Sequence, residues 1–302
     1  MKLKPYTVAP FLAVLTYLST ICAGQILGDL DASTNAYLYA FSGIQLAAYL
    51  LPLLIYALLF GGLSPKRMRI ALPEACSIPL QALLMIILLL GTALISMLLE
   101  RVGIVFSDTP SSGLNSPSFL AIAVAAILPA ICEEILFRGV IMSAFEPCGI
   151  APAIIGSSLL FAFGHMSIEK LPLYFFAGAV LAISVYVGRS LFVSVFLHAV
   201  YNIASLCLGD YLSGIAAHLE SFALLFIILF FALWIIVLIA LSEGSRVYGI
   251  YAERSLDSSY TPAKMTAVQR AKCNAAVYLS VPFLLATVIY VAVLILSMKE
   301  II

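Results

Sequence analysis

The chain has 302 residues, 64% of them hydrophobic and only 10% charged, with a formal net charge of zero. A soluble domain carries about 25% charged residues, so a soluble globular protein is excluded. The zero balance also removes any bulk electrostatic pull toward nucleic acid. Six cysteines (Cys22, Cys76, Cys132, Cys148, Cys207 and Cys273) form no C-x-x-C pair and fall mostly in apolar stretches. They read as reduced packing residues rather than a disulfide or zinc framework.

Lys2 and Lys4 precede an apolar run from Val8 to Leu27, a pattern that mimics a signal peptide. The run is long enough to span, since about 20 residues suffice, and no A-x-A-like site follows it cleanly. It is therefore read as a retained first span. Further apolar segments make nine candidate spans, at about 6–27, 36–60, 78–99, 118–142, 150–166, 171–188, 191–208, 219–241 and 274–298. The expected fold class is all-α: a polytopic membrane helix bundle of about eight to nine spans with a polar intramembrane cavity. Three parts follow in order: N-terminal transmembrane helices at 1–117, a core at 118–208, and C-terminal transmembrane helices at 209–302.

Two loops stand out. Residues 100–117 are rich in Ser, Pro and Gly and read as an extracytoplasmic loop; residues 242–273 form the longest polar stretch and read as a cytoplasmic loop. A lipid-contacting surface helix around Lys264–Lys272 is the sharper reading of the second loop. With the N-terminus inside, Lys2, Lys4, Lys66, Arg67, Arg69, Arg189, Arg246, Arg254, Lys264, Arg270 and Lys272 face the cytoplasm. Only Arg101, Lys170 and Lys299 then face outward. That asymmetry predicts a multi-pass integral membrane protein with a cytoplasmic N-terminus.

Arg138 stays within the membrane, beside Glu133 and Glu134. A charge at the bilayer centre costs about 2.5–3.5 kcal/mol on insertion scales, so three in six residues mark a functional site. Glu134 and Arg138 are four apart, acid first, and can neutralise each other on one helix face. Glu133 is turned about 140° from Arg138 at 3.6 residues per turn. It is the less satisfied acid and suits proton exchange with water. Pro129, one turn earlier, kinks the helix and opens room beside Glu133.

Two further apolar segments carry Phe161-x-x-x-His165 and His198-x-x-x-Asn202. Two of the three histidines of the chain are here; His218 sits at a polar boundary and is given no role. Peptide hydrolysis with water needs a base and donors for the developing oxyanion. Glu133 with His165 could activate the water, and His198 with Asn202 could donate to the oxyanion. Cys132 points about 100° away from Glu133 around the helix and has little claim as a nucleophile. Two histidines and a glutamate could ligate zinc, but the HExxH spacing is absent, Asn202 is a poor zinc ligand and Arg138 would repel a cation. The metal-free alternative is preferred, with no cofactor. One tension remains: helix rise alone sets His165 about 10 Å further from the cytoplasmic face than Glu133 and His198.

Glu133-Glu134-x-x-x-Arg138, Phe161-x-x-x-His165 and His198-x-x-x-Asn202, in this order on separate spans, resemble the CAAX-protease and bacteriocin-processing family. The resemblance covers about residues 118–208. It implies a glutamate-dependent intramembrane protease on a helical bundle. In such a protease Glu133 and His165 activate water, while His198 and Asn202 bind the oxyanion. It also implies a peptide or protein substrate, with prenylated proteins among the candidates, cut near the C-terminus of a lipid-modified or membrane-associated chain. Two other classes compete. A non-catalytic or immunity-type protein would bind a peptide or bacteriocin on the same scaffold. A proton-relaying transporter would show repeats, yet the ionisable membrane residues all lie between 133 and 202.

Overall fold

The computed structural model describes residues 4–27, 34–104, 118–218, 222–254 and 265–298, without the side chains of 24–26 and 208–218. The loop at 105–117, Lys2, Lys264, Lys299 and the His218 side chain lie outside this set. Ten helices are described: α1 Pro5–Leu27, α2 Asn35–Phe60, α3 Ile78–Arg101, α4 Phe119–Cys148, α5 Ile150–Phe163, α6 Leu171–Gly188, α7 Leu191–His218, α8 Phe222–Glu253, α9 Ala267–Tyr278 and α10 Val281–Met298. No strand occurs among the described residues. Six of these helices are long and apolar enough to cross a membrane, and the bent pair α9–α10 would make seven. Two shorter apolar helices, Ile150–Phe163 and Leu191–Cys207, complete the bundle, and the second leaves Phe192 and Phe196 exposed. The protein is a polytopic all-α membrane bundle.

Local chemistry sets the helix ends. The Thr34 hydroxyl accepts from Tyr37 N at the start of α2, and Gly61 closes it with φ +76°. Ser118 caps α4 in the same way. Pro172 opens α6 where its missing N–H is not needed. Thr266 and Gln269 form a reciprocal capping box at the start of α9.

Helix α4 is not uniform. It widens into a π-helix at Ala123–Ile127, returns to α over Leu128–Glu134, and widens again at Ile135–Met142. The first widening ends just before Pro129, which cannot donate within a regular α-helical ladder.

Two hydrophobic clusters form the interior. One joins α1, α2, α4, α5, α6, α9 and α10; the other joins α3, α6, α7 and α8. The outer face of α8 carries exposed Phe230, Phe231 and Trp234, a surface suited to lipid. Arg69 pairs with Glu146 at 2.5 Å, its carbonyl accepts from Leu191 N, and Arg246 donates to the Cys76 carbonyl at 3.0 Å.

Three expectations need correction. Cys148 and Cys273, read as reduced, are joined by a disulfide between the end of α4 and α9; no sequence spacing signals a bond across 125 residues. The polar stretch 242–273 begins as helix, because α8 continues to Glu253 and buries Val247 and Tyr251. Finally, the segment 274–298 is not one helix: α9 and α10 meet at a 48° bend at Leu279–Ser280.

Candidate active site

The two Phe161 neighbours that matter lie on different elements. The Phe161 ring, at the end of α5, meets the His165 ring at 4.8 Å and the His198 ring at 5.8 Å between centroids. It also carries the Arg138 guanidinium on its face at 4.3 Å. Both motif histidines therefore pack against the same phenyl ring. Helix α5 is shorter than expected, ending at Phe163, and the chain turns back at Gly164–His165.

Glu134 is the fixed point of the site. It is fully buried, and its Oε1 accepts from Arg138 Nη1 at 2.7 Å and from His198 Nδ1 at 2.9 Å. Arg138, also fully buried, spends Nη2 on the Gly178 carbonyl at 3.1 Å. Gly178 allows this approach: a Cβ there would sit 3.1 Å from Ser158 Cβ and 3.2 Å from Phe161 Cδ1. An ionised carboxylate only accepts, so Nδ1 of His198 carries a proton and its Nε2 points the other way.

That Nε2 lies 3.9 Å from Glu133 Oε2. The gap is too wide for a hydrogen bond and suits a water held beside both groups. Glu133 is partly exposed, and its Oε2 has no hydrogen-bond partner. The buried Tyr49 phenol of α2 faces it. His165 donates from Nδ1 to the Phe161 carbonyl at 3.0 Å, since a carbonyl can only accept. Its ring stacks on Tyr174 at 3.7 Å between centroids, 21° from parallel. Its Nε2 is likewise left for an incoming partner, and it senses the charge of Glu133.

Asn202 departs from the expected picture of an unengaged donor. Its Nδ2 donates to the Ala126 carbonyl at 3.2 Å, within the first π-helical stretch of α4. The other Nδ2 hydrogen remains. Cys132 is buried and takes part in none of these bonds. Among the described residues, no group of three or more His, Cys, Asp or Glu side chains is spaced to hold a metal ion.

Tyr49, Tyr174 and Gly178 were not singled out from the sequence. Two are aromatics in apolar runs and one is a helical glycine, so none carries a local signal. Arg138 itself was the clue to Gly178, since a guanidinium with one carboxylate partner still has donors to satisfy.

The class is thus defined: a multi-pass membrane protein with a buried Glu–Arg–His network beside a less restrained glutamate. Residues 115–204 match the family model described as Rce1-like, type II CAAX prenyl endopeptidase Rce1-like. This is the family the three motifs resemble, and the similarity covers the segment that carries them within a longer helical chain. No curated protein and no solved structure matches the chain.

Proposed function

We propose that the protein is an intramembrane endopeptidase that hydrolyses peptide bonds with a water activated by Glu133 and His165. The observation that carries this reading is the 3.9 Å approach of His198 Nε2 to Glu133 Oε2, with Nδ1 committed to Glu134. Glu133 takes a proton from the water as its oxygen bonds to the scissile carbonyl carbon. His165, anchored by Nδ1, accepts from the same water at Nε2. The oxyanion that forms is met by His198 Nε2–H and the remaining Asn202 N–H. Glu133 then passes its proton to the leaving amine nitrogen, and the C–N bond breaks to give an acid and an amine.

Glu134 and Arg138 hold His198 and each other rather than touch the substrate. Helices of 118–208 form the catalytic unit, with those of 1–117 and 209–302 as its surround. The N-terminus lies inside, the side that the Lys and Arg asymmetry of the loops favours. The substrate is a lipid-modified or membrane-associated chain cut near its C-terminus, prenylated proteins being one candidate class.

A second reading has one observation in its favour. Both imidazoles are anchored at Nδ1 by an oxygen, which is also how metal-binding histidines are oriented. The metal-free reading is kept because Arg138 sits beside the site and would repel a cation. The test is mass spectrometry of candidate peptides incubated with purified protein. Wild type cuts with or without a chelator, whereas Glu133→Ala and His198→Ala do not. Cleavage retained by Glu133→Ala would reject the assignment, and cleavage lost to the chelator would favour the metal. If no peptide is cut while Glu133→Gln still binds as wild type does, a non-catalytic immunity-type function replaces the peptidase.

A further inference from the structure

Helix α9 is short and polar beside long apolar neighbours. Its twelve residues include Gln269, Arg270, Lys272 and Asn274 and no acid. Helix α10 follows after a 48° bend. The eighteen residues of α10 rise about 27 Å, most of the ~30 Å of a hydrocarbon core. Helix α10 is thus long enough to cross on its own, and Arg270 and Lys272 would be costly within the hydrocarbon.

Three contacts fix where α9 lies. The disulfide from Cys273 to Cys148 holds it to the end of α4. The Tyr278 hydroxyl donates to the Pro152 carbonyl, in the first turn of α5, at 2.9 Å. The Tyr290 hydroxyl of α10 donates to the Ser167 carbonyl, just past the other end of α5, at 3.1 Å. Helix α10 therefore runs alongside α5, and α9 stays at the end of the bundle where α4 passes into α5.

The helix has an inner and an outer side. Cys273 and Val277 are buried. Val268, Ala271, Lys272 and Ala275 are exposed, as is Leu279 at the bend. At 3.6 residues per turn Val268, Ala271 and Ala275 share one face, with Lys272 at its edge. Arg270 is exposed on the other side of the helix. An outward apolar face flanked by cations is the pattern of a helix lying in a membrane interface. Neither Arg270 nor Lys272 forms an ion pair among the described residues. Glu146, two residues before Cys148, is already paired with Arg69 at 2.5 Å.

We propose that α9 lies in the headgroup layer of the bilayer and binds anionic phospholipid through Arg270 and Lys272. The two side chains leave the helix about 200° apart, so each meets its own headgroup. A basic residue close to an anionic lipid surface strengthens binding about fivefold. Cys273 ties the helix held in this way to the end of α4.

The probes are palmitoyl-oleoyl phosphatidylglycerol and palmitoyl-oleoyl phosphatidylcholine, titrated against the purified full-length protein in neutral detergent. Bound lipid is counted by native mass spectrometry. Wild type should prefer the anionic lipid at least about tenfold. Arg270→Gln and Lys272→Gln should each weaken its binding about fivefold, and together they should remove most of the preference. Arg101→Gln, an exposed cation at the far end of α3, is the control and should bind as wild type does. All these side chains are exposed, so the variants should melt with wild type in lipid-free detergent. Placement is read separately. Trp234 is the only tryptophan, so Val268→Trp is made in a Trp234→Phe background and reconstituted into vesicles of the two lipids. Its emission should be quenched by lipid brominated on the tails near the headgroup. Equal affinities in wild type, no bound lipid of either kind, or an undiminished preference in the double variant would overturn the proposal. An equal loss in Arg101→Gln, or no quenching of the Val268→Trp protein, would do the same. None of these readouts involves cleavage, so each outcome leaves the peptidase reading where it was.

Discussion

His198 and Glu134 are 2.9 Å apart, Nδ1 to Oε1, with Arg138 Nη1 on the same oxygen at 2.7 Å. One oxygen thus serves two donors from two helices, α4 and α7. Removing one member of a buried ion pair costs about 3–5 kcal/mol, because the other charge is left uncompensated. Glu134→Gln should therefore lower the thermal midpoint in detergent by many degrees and abolish cleavage with it. An unchanged melt would show that Glu134 is not the fixed point described.

Glu133 should behave in the opposite way. Its Oε2 has no hydrogen-bond partner and the side chain is partly exposed. Glu133→Gln removes a charge that no ion pair within hydrogen-bond distance compensates and keeps the shape of the side chain, so the melt should change far less than in Glu134→Gln. Cleavage should fall by at least about a hundredfold, the ordinary contribution of a general base. Adjacent glutamates in the sequence thus separate into one that stabilises and one that reacts.

Gly178 tests the close approach of α5 and α6. Gly178→Ala would place a Cβ 3.1 Å from Ser158 Cβ and 3.2 Å from Phe161 Cδ1. Either contact forces a shift that draws the Gly178 carbonyl away from Arg138. Overpacking of this kind costs about 1–3 kcal/mol. Gly43 in α2 has nothing within 4 Å, so Gly43→Ala is the control and should be neutral or slightly stabilising. Equal melting of the two variants would contradict the packing described.

Much of the core of this site was legible because lipid makes charge conspicuous. Glu133, Glu134 and Arg138 stand out in an apolar run, and a spacing of four predicted the Glu134–Arg138 pair, which is present. The histidines and Asn202 were legible for the same reason. What the sequence could not reveal was direction. Nothing in the H-x-x-x-N spacing says that Asn202 spends a hydrogen on the Ala126 carbonyl, nor that α4 widens into π-helical turns there. The Cys148–Cys273 bond was missed because composition argues for thiols in apolar segments, while pairing depends on where α9 docks.

That bond has a direct chemical test. Four cysteines, Cys22, Cys76, Cys132 and Cys207, are free, and Cys148 and Cys273 are joined. Alkylation of the unfolded protein without reductant should add four groups, and six after reduction. Cys273→Ser should cost about 2–4 kcal/mol, as expected for closing a long loop. Six groups added without reductant would show two thiols instead.

Tyr174 offers a finer test of how His165 is held. Its ring stacks on the face of the imidazole at 3.7 Å between centroids, while Nδ1 donates to the Phe161 carbonyl. Stacking needs the ring, not the hydroxyl. Tyr174→Phe should therefore keep the wild-type turnover. Tyr174→Leu should let the imidazole rotate and lower kcat by about tenfold or more, since misplacing a reacting group is costly. KM should change little, because the ring packs on His165. A Phe variant as impaired as the Leu variant would mean that the hydroxyl acts instead, and a change confined to KM would move Tyr174 from the water to the substrate.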